Sequence, residues 1–486
     1  MTNTMDPAAH QTANASSTTP SQQLTLEVGP MAHGGHCVAN HEGTVVFVRH
    51  AIPGEQVVAR LTEEGPDGRF WWADTIKVLR ASEFRRVHQW KLADSLRAYT
   101  SSRQPVNDAP WGHIILEYQR RLKALSFRDT MARLGKLNAE DIDIIVQGLE
   151  SDEPTGQQWR TRNTFAITAG RLSLPVTSHP ETLPVRNIPL AVPQLDKRHL
   201  WNLNFSGATR LDVVTPGSTH EALLILTPET QIAQTPELLE QHVDIWREQI
   251  ARLPKHVSAI VVMPRQSDEQ AEVVVLQGRT WVQEQVVSQQ FGTRTFQISA
   301  AGFWHPHRDG PVTLVEAVMR AANVQPDELV ADLHAGTGLF SRYLGEAVGQ
   351  NGTVLSVEAD PIASRDAHQN LQDLPQVTVL NGKPHRVMAN WLLTPEAQID
   401  EGGLNGQALD TVIVGAPTES AGRITIDRLD QLDPQKIVYV APDSASLARD
   451  TRRLLQRGWG LDSIDAYDLA PETHRVDSVS VFTRRA

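Results

Sequence analysis

The sequence predicts a multidomain α/β protein with three folded parts: a small all-β barrel, a central α+β domain and a C-terminal domain built on a doubly wound parallel sheet. Its 486 residues exceed what a single core usually holds. Short strands broken by Gly and Pro dominate the region near the N-terminus, and helices alternate with short apolar strands beyond about residue 300. We therefore place a disordered polar tail at residues 1–21, the barrel at 22–80, the central domain at 81–299 and the α/β domain at 300–486.

Each part has its own sequence pattern. In the first, LTLEVG, GTVVFVRH and GEQVVARLTEE alternate apolar and polar residues between turn signals. In the second, apolar residues spaced three and four apart predict a helix over 115–137 and another over 235–253, among strand-like runs such as EALLILT and SAIVVMP. In the third, the alternation of helices and apolar strands is typical of a parallel sheet covered by helices on both faces.

The composition excludes several classes of protein. Hydrophobic residues make up 40% of the chain and charged residues 21%, and no run of about 18 apolar residues predicts a membrane span. Cys37 is the only cysteine, so the chain cannot build an intrachain disulfide, a cysteine-rich zinc site or an iron–sulfur cluster, and we expect no metal. The polar N-terminus lacks the features of a secretory signal, which together with the cysteine count favours the cytoplasm. We expect a monomer.

A locally basic stretch is the candidate nucleic-acid surface, because the formal net charge of −12 argues against a protein that is basic all over. From Arg80 to Lys136 there are 12 Lys and Arg against 5 Asp and Glu, interleaved with Trp and Tyr. Such a stretch can follow phosphates and stack bases. The alternative is an amphipathic helix with a solvated basic side. The candidate contacts are Arg85, Arg86, Arg120, Arg121 and Lys123.

The segment LVADLHAGTGLFSRYL carries the clearest cofactor signal. A buried strand ends at Asp332, a turn with Gly336 and Gly338 follows, and the next strand ends in Glu358, which is well placed to accept hydrogen bonds from a ribose diol. A dinucleotide site favours a third glycine, where this chain has Ser341, and the carboxylate of Asp332 would repel a pyrophosphate. An acid on each side of the turn suits the cationic S-adenosylmethionine and predicts a Rossmann-like class I methyltransferase domain.

Further motifs resemble the RNA uracil-C5 methyltransferases. The family's GFWQ, DLYAGVGLFS and YVSCNPATLARD motifs are similar to GFWH, DLHAGTGLFS and YVAPDSASLARD, and LAPETHRVD matches its closing pattern. GGHCVANHEGTVVFVRHAIPGEQVVARL resembles the TRAM domain, an OB-like RNA-binding barrel. The resemblance covers nearly the whole chain. It implies a methyltransferase that uses S-adenosylmethionine and acts on RNA, either tRNA or rRNA.

The residues that perform the family's chemistry differ in this chain. Pro442 stands where the family has its nucleophilic cysteine, and a prolyl ring cannot attack a base. Asp477 stands at the position of the glutamate that acts as base, one methylene shorter. His305 replaces a glutamine that the resemblance makes a cofactor contact, and GAPT at 415–418 replaces a DPPR loop. These changes argue against methylation of uracil at C5.

Two functions remain. The first is an RNA methyltransferase of altered chemistry, which transfers the methyl group directly to an atom that is already nucleophilic and uses Asp477 or His305 as a base. The second is a catalytically inactive RNA-binding member of the same family, a pseudoenzyme. Retention of the two acids and the glycine turn favours the first, and loss of several polar site residues favours the second. A dehydrogenase is disfavoured by Asp332 and Ser341.

Overall fold

The computed structural model describes residues 22–138, 140, 142–177, 180–195, 199–264, 272–300, 302–399 and 402–485. The tail predicted at residues 1–21 lies outside this part of the chain. The described strands form four sheets, and helices accompany the larger ones, so the predicted multi-sheet α/β architecture is confirmed. None of the described helices combines the length and the apolar character that crossing a bilayer requires.

The first sheet has five short strands in the order β1-β4-β5-β3-β2. The strands are β1 (Gln23–Glu27), β2 (Cys37–His41), β3 (Thr44–Arg49), β4 (Gln56–Glu64) and β5 (Phe70–Arg80). β3 and β5 run parallel, and the other neighbours are antiparallel. Alternate residues such as Leu26, Val46, Val48 and Val57 are buried in one small core, because successive side chains of a strand point to opposite faces.

The second and third sheets follow two helices, α1 (Ser95–Thr100) and α2 (Leu116–Gly135), and the short strand β6 (Val146–Gln147). Seven strands form the order β13-β12-β11-β10-β7-β8-β9, and β14 and β15 form a separate hairpin. Their bounds, with those of the two helices between them, are β7 (Arg162–Thr168), β8 (Arg171–Pro175), β9 (Thr182–Pro184), β10 (Ala208–Val214), β11 (Ala222–Pro228), α3 (Thr230–Ala233), α4 (Pro236–Ile250), β12 (Val257–Val262), β13 (Val273–Gln277), β14 (Trp281–Ser288) and β15 (Gly292–Ser299).

The fourth sheet has eight strands in the order β18-β17-β16-β19-β20-β22-β21-β6. Its elements are α5 (Gly310–Ala322), β16 (Leu329–Leu333), α6 (Leu339–Val348), β17 (Thr353–Glu358), α7 (Pro361–Leu371), β18 (Val377–Asn381), α8 (Pro384–Leu393), β19 (Thr411–Gly415), α9 (Arg423–Leu432), β20 (Lys436–Ala441), α10 (Ser444–Leu455), β21 (Trp459–Tyr467) and β22 (Asp477–Arg484). The alternation predicted from the sequence is present.

Strand direction places several candidate site residues at one edge of this sheet. β18, β17, β16, β19 and β20 are parallel, so their carboxyl ends meet at the same edge. β22 is antiparallel to β20, with Ala441 opposite Ser478, and therefore begins at that edge with Asp477. Ligands of open α/β sheets bind beyond the carboxyl ends of the strands. The edge thus carries Asp332, Glu358 and Asp477.

Packing crosses the predicted boundary between residues 299 and 300. Phe127 and Met131 of α2 lie in the same core as Tyr439 and Phe482 of the eight-stranded sheet, and β6 forms the outer strand of that sheet. The β14–β15 hairpin shares a core with α5. Segments assigned to the central domain therefore complete the C-terminal core, so the two parts are joined by apolar burial as well as by the chain.

A buried ion pair fixes α2 to the C-terminal segment. The Lys123 ammonium donates to Asp468 Oδ1 and, at 3.1 Å, to the carbonyl of Ala470. Neither charged side chain is exposed to solvent. Arg120 Nε lies 3.5 Å from the second oxygen of Asp468. Removing one member of a buried pair leaves a charge without its partner, which costs far more than losing a solvated pair.

We expect Lys123→Met to lower the free energy of unfolding by about 3–5 kcal/mol, because the Asp468 carboxylate remains buried with its main partner gone. Urea denaturation of the two proteins measures the difference. Arg133→Met is the matched control on the same helix, since Arg133 and Asp129 form an exposed pair worth under about 1 kcal/mol. Equal losses in the two variants would contradict a special role for the buried pair.

Candidate functional site

The glycine turn after β16 leaves space at one position and allows close packing at another. Gly336 has φ +59° and Gly338 has φ +87°, a region that residues with a Cβ rarely adopt. A Cβ on Gly336 would meet nothing within 4 Å, whereas a Cβ on Gly338 would lie 2.8 Å from Leu371 Cδ1 of α7. Gly338 therefore allows α6 and α7 to pack closely, and Gly336 leaves the turn open to an approaching ligand.

Asp332 is a fully buried acid, and one of its two carboxylate oxygens accepts no hydrogen bond from the described residues. Its Oδ2 accepts a hydrogen bond of 2.6 Å from Ser341 Oγ, while its Oδ1 has no hydrogen-bond partner among the described residues. Burial raises the pKa of Asp332 to about 6, although the bonds from Ser341 oppose this shift. A buried acceptor without a donor is costly and rare. A cationic group that reached Oδ1 would remove this cost.

Glu358 ends β17, the parallel neighbour of the strand that carries Asp332, and holds the glycine turn. Its Oε2 accepts from the backbone N–H of Gly336 at 2.8 Å, and its Oε1 accepts from that of Asp360 at 2.7 Å. A carboxylate has about four lone-pair positions, so both oxygens can accept a further hydrogen bond. Glu358 is partly exposed, which suits the predicted contact with a ribose diol.

His305 and Asp477, which the sequence singled out in two separate motifs, lie side by side. His305 Nε2 is 3.4 Å from Asp477 Oδ1, and each side chain is about one-tenth exposed. His305 Nδ1 accepts from the backbone N–H of His307 at 3.1 Å, so in the neutral ring the proton is on Nε2, facing Asp477. Gly310 makes this ring position possible, because a Cβ there would lie 2.1 Å from Nδ1.

A second, fully buried pair anchors the segment that carries His305. His307 Nε2 lies 3.1 Å from both carboxylate oxygens of Asp152, and Trp159 stacks on the His307 ring at 5.6 Å and 12°. Arg162 also donates to the carbonyl of Gly302 at 3.2 Å. Sequence reasoning missed the roles of Asp152 and Arg162, since nothing in the local sequence around either residue indicates a partner 140 or more positions away.

Pro442, directly after β20, lines a cavity of about 110 Å³. The wall is formed by three parts of the chain: the loop before β2, the α2 helix and loops at the carboxyl edge of the sheet. Its other residues include His33, Gly34, Phe127, Thr418, His474 and Arg475. Cys37 is not among the lining residues. It is fully buried in the first sheet, where its Sγ donates to the carbonyl of Ala51 at 3.5 Å and burial raises its pKa.

The structure corrects the RNA-facing placement predicted for Lys123 and Arg85. Lys123 is buried and paired with Asp468. Arg85 binds both oxygens of the fully buried Glu55 at 2.6 Å, and its side chain is 12% exposed. The physical reason is the same for both: a basic residue in a helix or loop can pair with an acid of a distant segment, and the local charge pattern does not reveal that partner.

The other predicted basic contacts divide into paired and exposed residues. Arg86 pairs with the buried Glu472, and Arg120 pairs with Glu153 at 2.6 Å. Arg121 is exposed, with its guanidinium 5.6 Å from the ring of Tyr118. The RNA contact predicted for Arg121 is therefore compatible with its position, whereas Arg86 and Arg120 serve to hold segments together. The described residues contain no group of three or more His, Cys, Asp or Glu that could hold a metal ion.

Comparison with known proteins adds relatives that span the whole chain. No family model matches it. It is 31% identical over 467 residues to an uncharacterized RNA methyltransferase of Streptomyces avermitilis, covering 95% of this chain and 98% of that protein. It is 32% identical to another from Streptomyces coelicolor, covering 95% and 92%. The tRNA (uracil-54, C5)-methyltransferase of Pyrococcus abyssi, solved with S-adenosyl-L-homocysteine, shares the fold, with 16% identity, a TM-score of 0.64 and coverage of 94% and 99%.

We expect Asp332→Asn to stabilise the ligand-free protein at pH 7 by on the order of 1–3 kcal/mol. The raised pKa means that the folded state binds a proton that the unfolded chain releases. The free energy of unfolding contributed by this group therefore falls as the pH rises from about 4 to about 6. Urea denaturation at pH 4.5 and pH 7 measures this fall, which the variant should lack. A less stable variant at pH 7 would show that Oδ1 already has a favourable partner.

Proposed function

Because this chain belongs to the family of RNA methyltransferases to which it is 31–32% identical over nearly its full length, we propose that it transfers a methyl group from S-adenosylmethionine directly to a nucleophilic atom of RNA, without a cysteine adduct. One observation supports the proposal: the acid Asp477 lies 3.4 Å from His305, while Cys37 is buried in the first sheet. By the family resemblance, Pro442 stands where the nucleophilic cysteine would be. The cavity beside Pro442 thus has no cysteine thiol among its described lining residues, and the neighbouring Asp477 can act as a base.

The residues at the carboxyl edge fit S-adenosylmethionine. When bound, this cofactor supplies an electrophilic methyl group on a sulfonium and carries a cationic amino acid part. Asp332 Oδ1, which is buried and has no donor among the described residues, would accept a hydrogen bond from that ammonium group. Glu358 would accept hydrogen bonds from the ribose diol, and the open face of Gly336 would admit the ligand against the backbone. The turn at Gly338 keeps α6 in place.

Asp477 is the proposed base. An N–H or O–H group that gains a methyl group must lose one proton, and a carboxylate within hydrogen-bond reach can take it. His305 Nε2 lies 3.4 Å from Asp477 Oδ1, and in this mechanism the other oxygen, Oδ2, takes the proton. His305 was predicted to contact the cofactor, but its approach to Asp477 supports a positioning role. Uracil C5 is not a target of this mechanism, because it becomes nucleophilic only after a nucleophile adds to C6.

The domain layout and the class of RNA belong to the same proposal. Residues 22–80, with their five-stranded sheet, are the TRAM-like OB barrel; residues 81–299 are the central α+β domain; and residues 300–486 are the class I methyltransferase domain, with α2, β6 and the β14–β15 hairpin contributing to its core. The family resemblance supports tRNA or rRNA as substrate, and the protein acts as a monomer.

Incubation of the protein with methyl-labelled S-adenosylmethionine and total RNA tests the reaction. We expect label on a base nitrogen or a ribose oxygen after nuclease digestion and chromatography. Asp477→Asn should lower the rate by about 10²- to 10⁴-fold, the usual contribution of a general base. Asp462→Asn, an exposed acid on the adjacent strand β21, is the matched control and should retain the rate.

Label on C5 of uracil, or full activity in Asp477→Asn, would contradict the proposed chemistry. Absence of label together with RNA binding would identify the catalytically inactive RNA-binding member of the family instead. A thermal shift with S-adenosylmethionine separates these cases further, because a ligand that binds only the folded state raises its stability.

Cys37→Ala, which makes the chain free of cysteine, should retain methyl transfer to within about twofold. Cys37 lies in the core of the first sheet and does not line the cavity beside Pro442, so its loss removes packing but no reacting group. The expected cost is a modest fall in melting temperature from the small cavity left behind. Initial rates are compared at a temperature where both proteins are folded. Abolished transfer in a folded variant would mean that the thiol takes part in the reaction.

A further inference from the structure

We propose that the outer face of the first sheet stacks the unpaired bases of the RNA strand that flanks the modified nucleotide. This inference rests on the proposed RNA substrate. The surface consists of Phe47 on β3 and Phe70 and Trp72 on β5, with His36 at its edge, and we refer to these four residues as the aromatic face. It is separate from the basic stretch that the sequence singled out.

Strand alternation places these rings opposite the core. In the parallel pair of β3 and β5, Val46 faces Trp71 and Val48 faces Ala73 on the buried side. Phe47 pairs in register with Trp72 on the other side, and Phe70 lies two residues from Trp72. All three rings are partly exposed. Partly exposed aromatic rings on a sheet are the common platform for single-stranded nucleic acid, because every base has a π face.

The rings contact one another, so their side chains lose little conformational entropy when a base binds. The Phe47 and Trp72 centroids are 4.8 Å apart with a tilt of 32°, and Phe70 meets Phe47 edge-on at 5.6 Å. His36 meets Trp72 edge-on at 4.5 Å. Gly65 makes room for the Phe70 ring, because a Cβ there would lie 2.6 Å from it. Rings held in this way are preorganised.

The charges around the aromatic face favour bases over phosphates. The Arg49 guanidinium lies 5.9 Å from the Trp72 centroid, but Arg49 also pairs with the buried Asp74 at 2.5 Å. The exposed Glu63 pairs in register with Trp72 and would repel a phosphate. An RNA strand here would therefore turn its bases to the rings and its phosphates to solvent. Much of the basic stretch is engaged in internal pairs, so stacking supplies the attraction that a chain of net charge −12 otherwise lacks.

The aromatic face leads to the candidate site. The loop before β2 carries His33 and Gly34 in the wall of the cavity beside Pro442, and His36 at the edge of the face. This loop is docked firmly: Trp111 Nε1 donates to the carbonyl of Gly35 at 3.1 Å, and a Cβ on Gly35 would lie 2.7 Å from His474 Cβ. A strand whose target nucleotide enters the site can thus continue over His36 onto Trp72.

Binding of a fluorescently labelled 12-nucleotide single-stranded RNA, measured by anisotropy at 50 and 200 mM salt, tests the inference. Trp72→Leu and Phe47→Leu should each weaken binding by on the order of 10-fold, the usual effect of removing one stacking ring. Trp72→Phe should retain most of the affinity. Because stacking releases no counterions, the fold loss in Trp72→Leu should be the same at both salt concentrations, whereas Arg121→Gln should lose more at 50 mM.

Trp281→Leu is the matched control, since Trp281 is a partly exposed tryptophan in the β14–β15 hairpin with the Arg279 guanidinium 3.9 Å from its ring centroid. Wild-type affinity in folded Trp72→Leu and Phe47→Leu, or an equal loss in Trp281→Leu, would overturn the inference. A wild-type protein that gains stability with S-adenosylmethionine but binds no RNA would also overturn it, while the cofactor assignment stands. Aromatic-dependent binding without transfer of label would support the inference and refute the proposed catalysis.

Discussion

The site depends on one electrostatic constraint, a carboxyl group buried at the end of the central strand. β16 is buried along its whole length, and Asp332 near its end has Ser341 as its hydrogen-bond donor while its second oxygen has none among the described residues. A group in that position is destabilised when ionised, and burial raises its pKa to about 6. A bound cation would donate to the unpaired oxygen and would also stabilise the ionised carboxylate. The free protein thus bears the energetic cost of a buried, unpaired carboxyl group, and cofactor binding can remove that cost.

The neighbouring strands determine what surrounds that acid. Asp332 pairs in register with Ser356 of the parallel strand β17, which ends two residues later at Glu358, and the carboxylate of Glu358 fixes the glycine turn through the N–H of Gly336. Two strands further on, β20 ends before Pro442, and the antiparallel β22 returns Asp477 to the same edge. The proposed cofactor residues and the proposed base therefore come from one sheet, while the His305 ring beside that base comes from the loop before α5. The pair of His307 and Asp152 anchors this loop.

The sequence could predict the elements that are local and not the pairs that are distant. The positions of Asp332, the glycine turn and Glu358 could be predicted because each lies at the end of a strand whose apolar run is visible in the sequence. The adjacency of His305 and Asp477 depends on how the loop before α5 packs against the start of β22, which no short motif contains. The burial of Lys123 could not be predicted from the sequence of α2, because its partner Asp468 is 345 positions away. The local sequence around a lysine is the same whether the lysine is solvated or paired with a distant acid. The same holds for Arg85 and Glu55.

The replacements at the site are easiest to understand as a set. By the family resemblance, Pro442 stands where a cysteine would add to C6 of a pyrimidine, and without that adduct an acid that serves only to remove the C5 proton would have no purpose. Asp477 nevertheless supplies an acid at this edge, and His305 Nε2 approaches it to 3.4 Å. Gly310 leaves the space that this ring needs. A carboxylate supported in this way suits a reaction that removes a proton from nitrogen or oxygen, where no covalent adduct is required. The proposed transfer, which uses no cysteine adduct, would therefore reach only atoms that are nucleophilic in RNA itself.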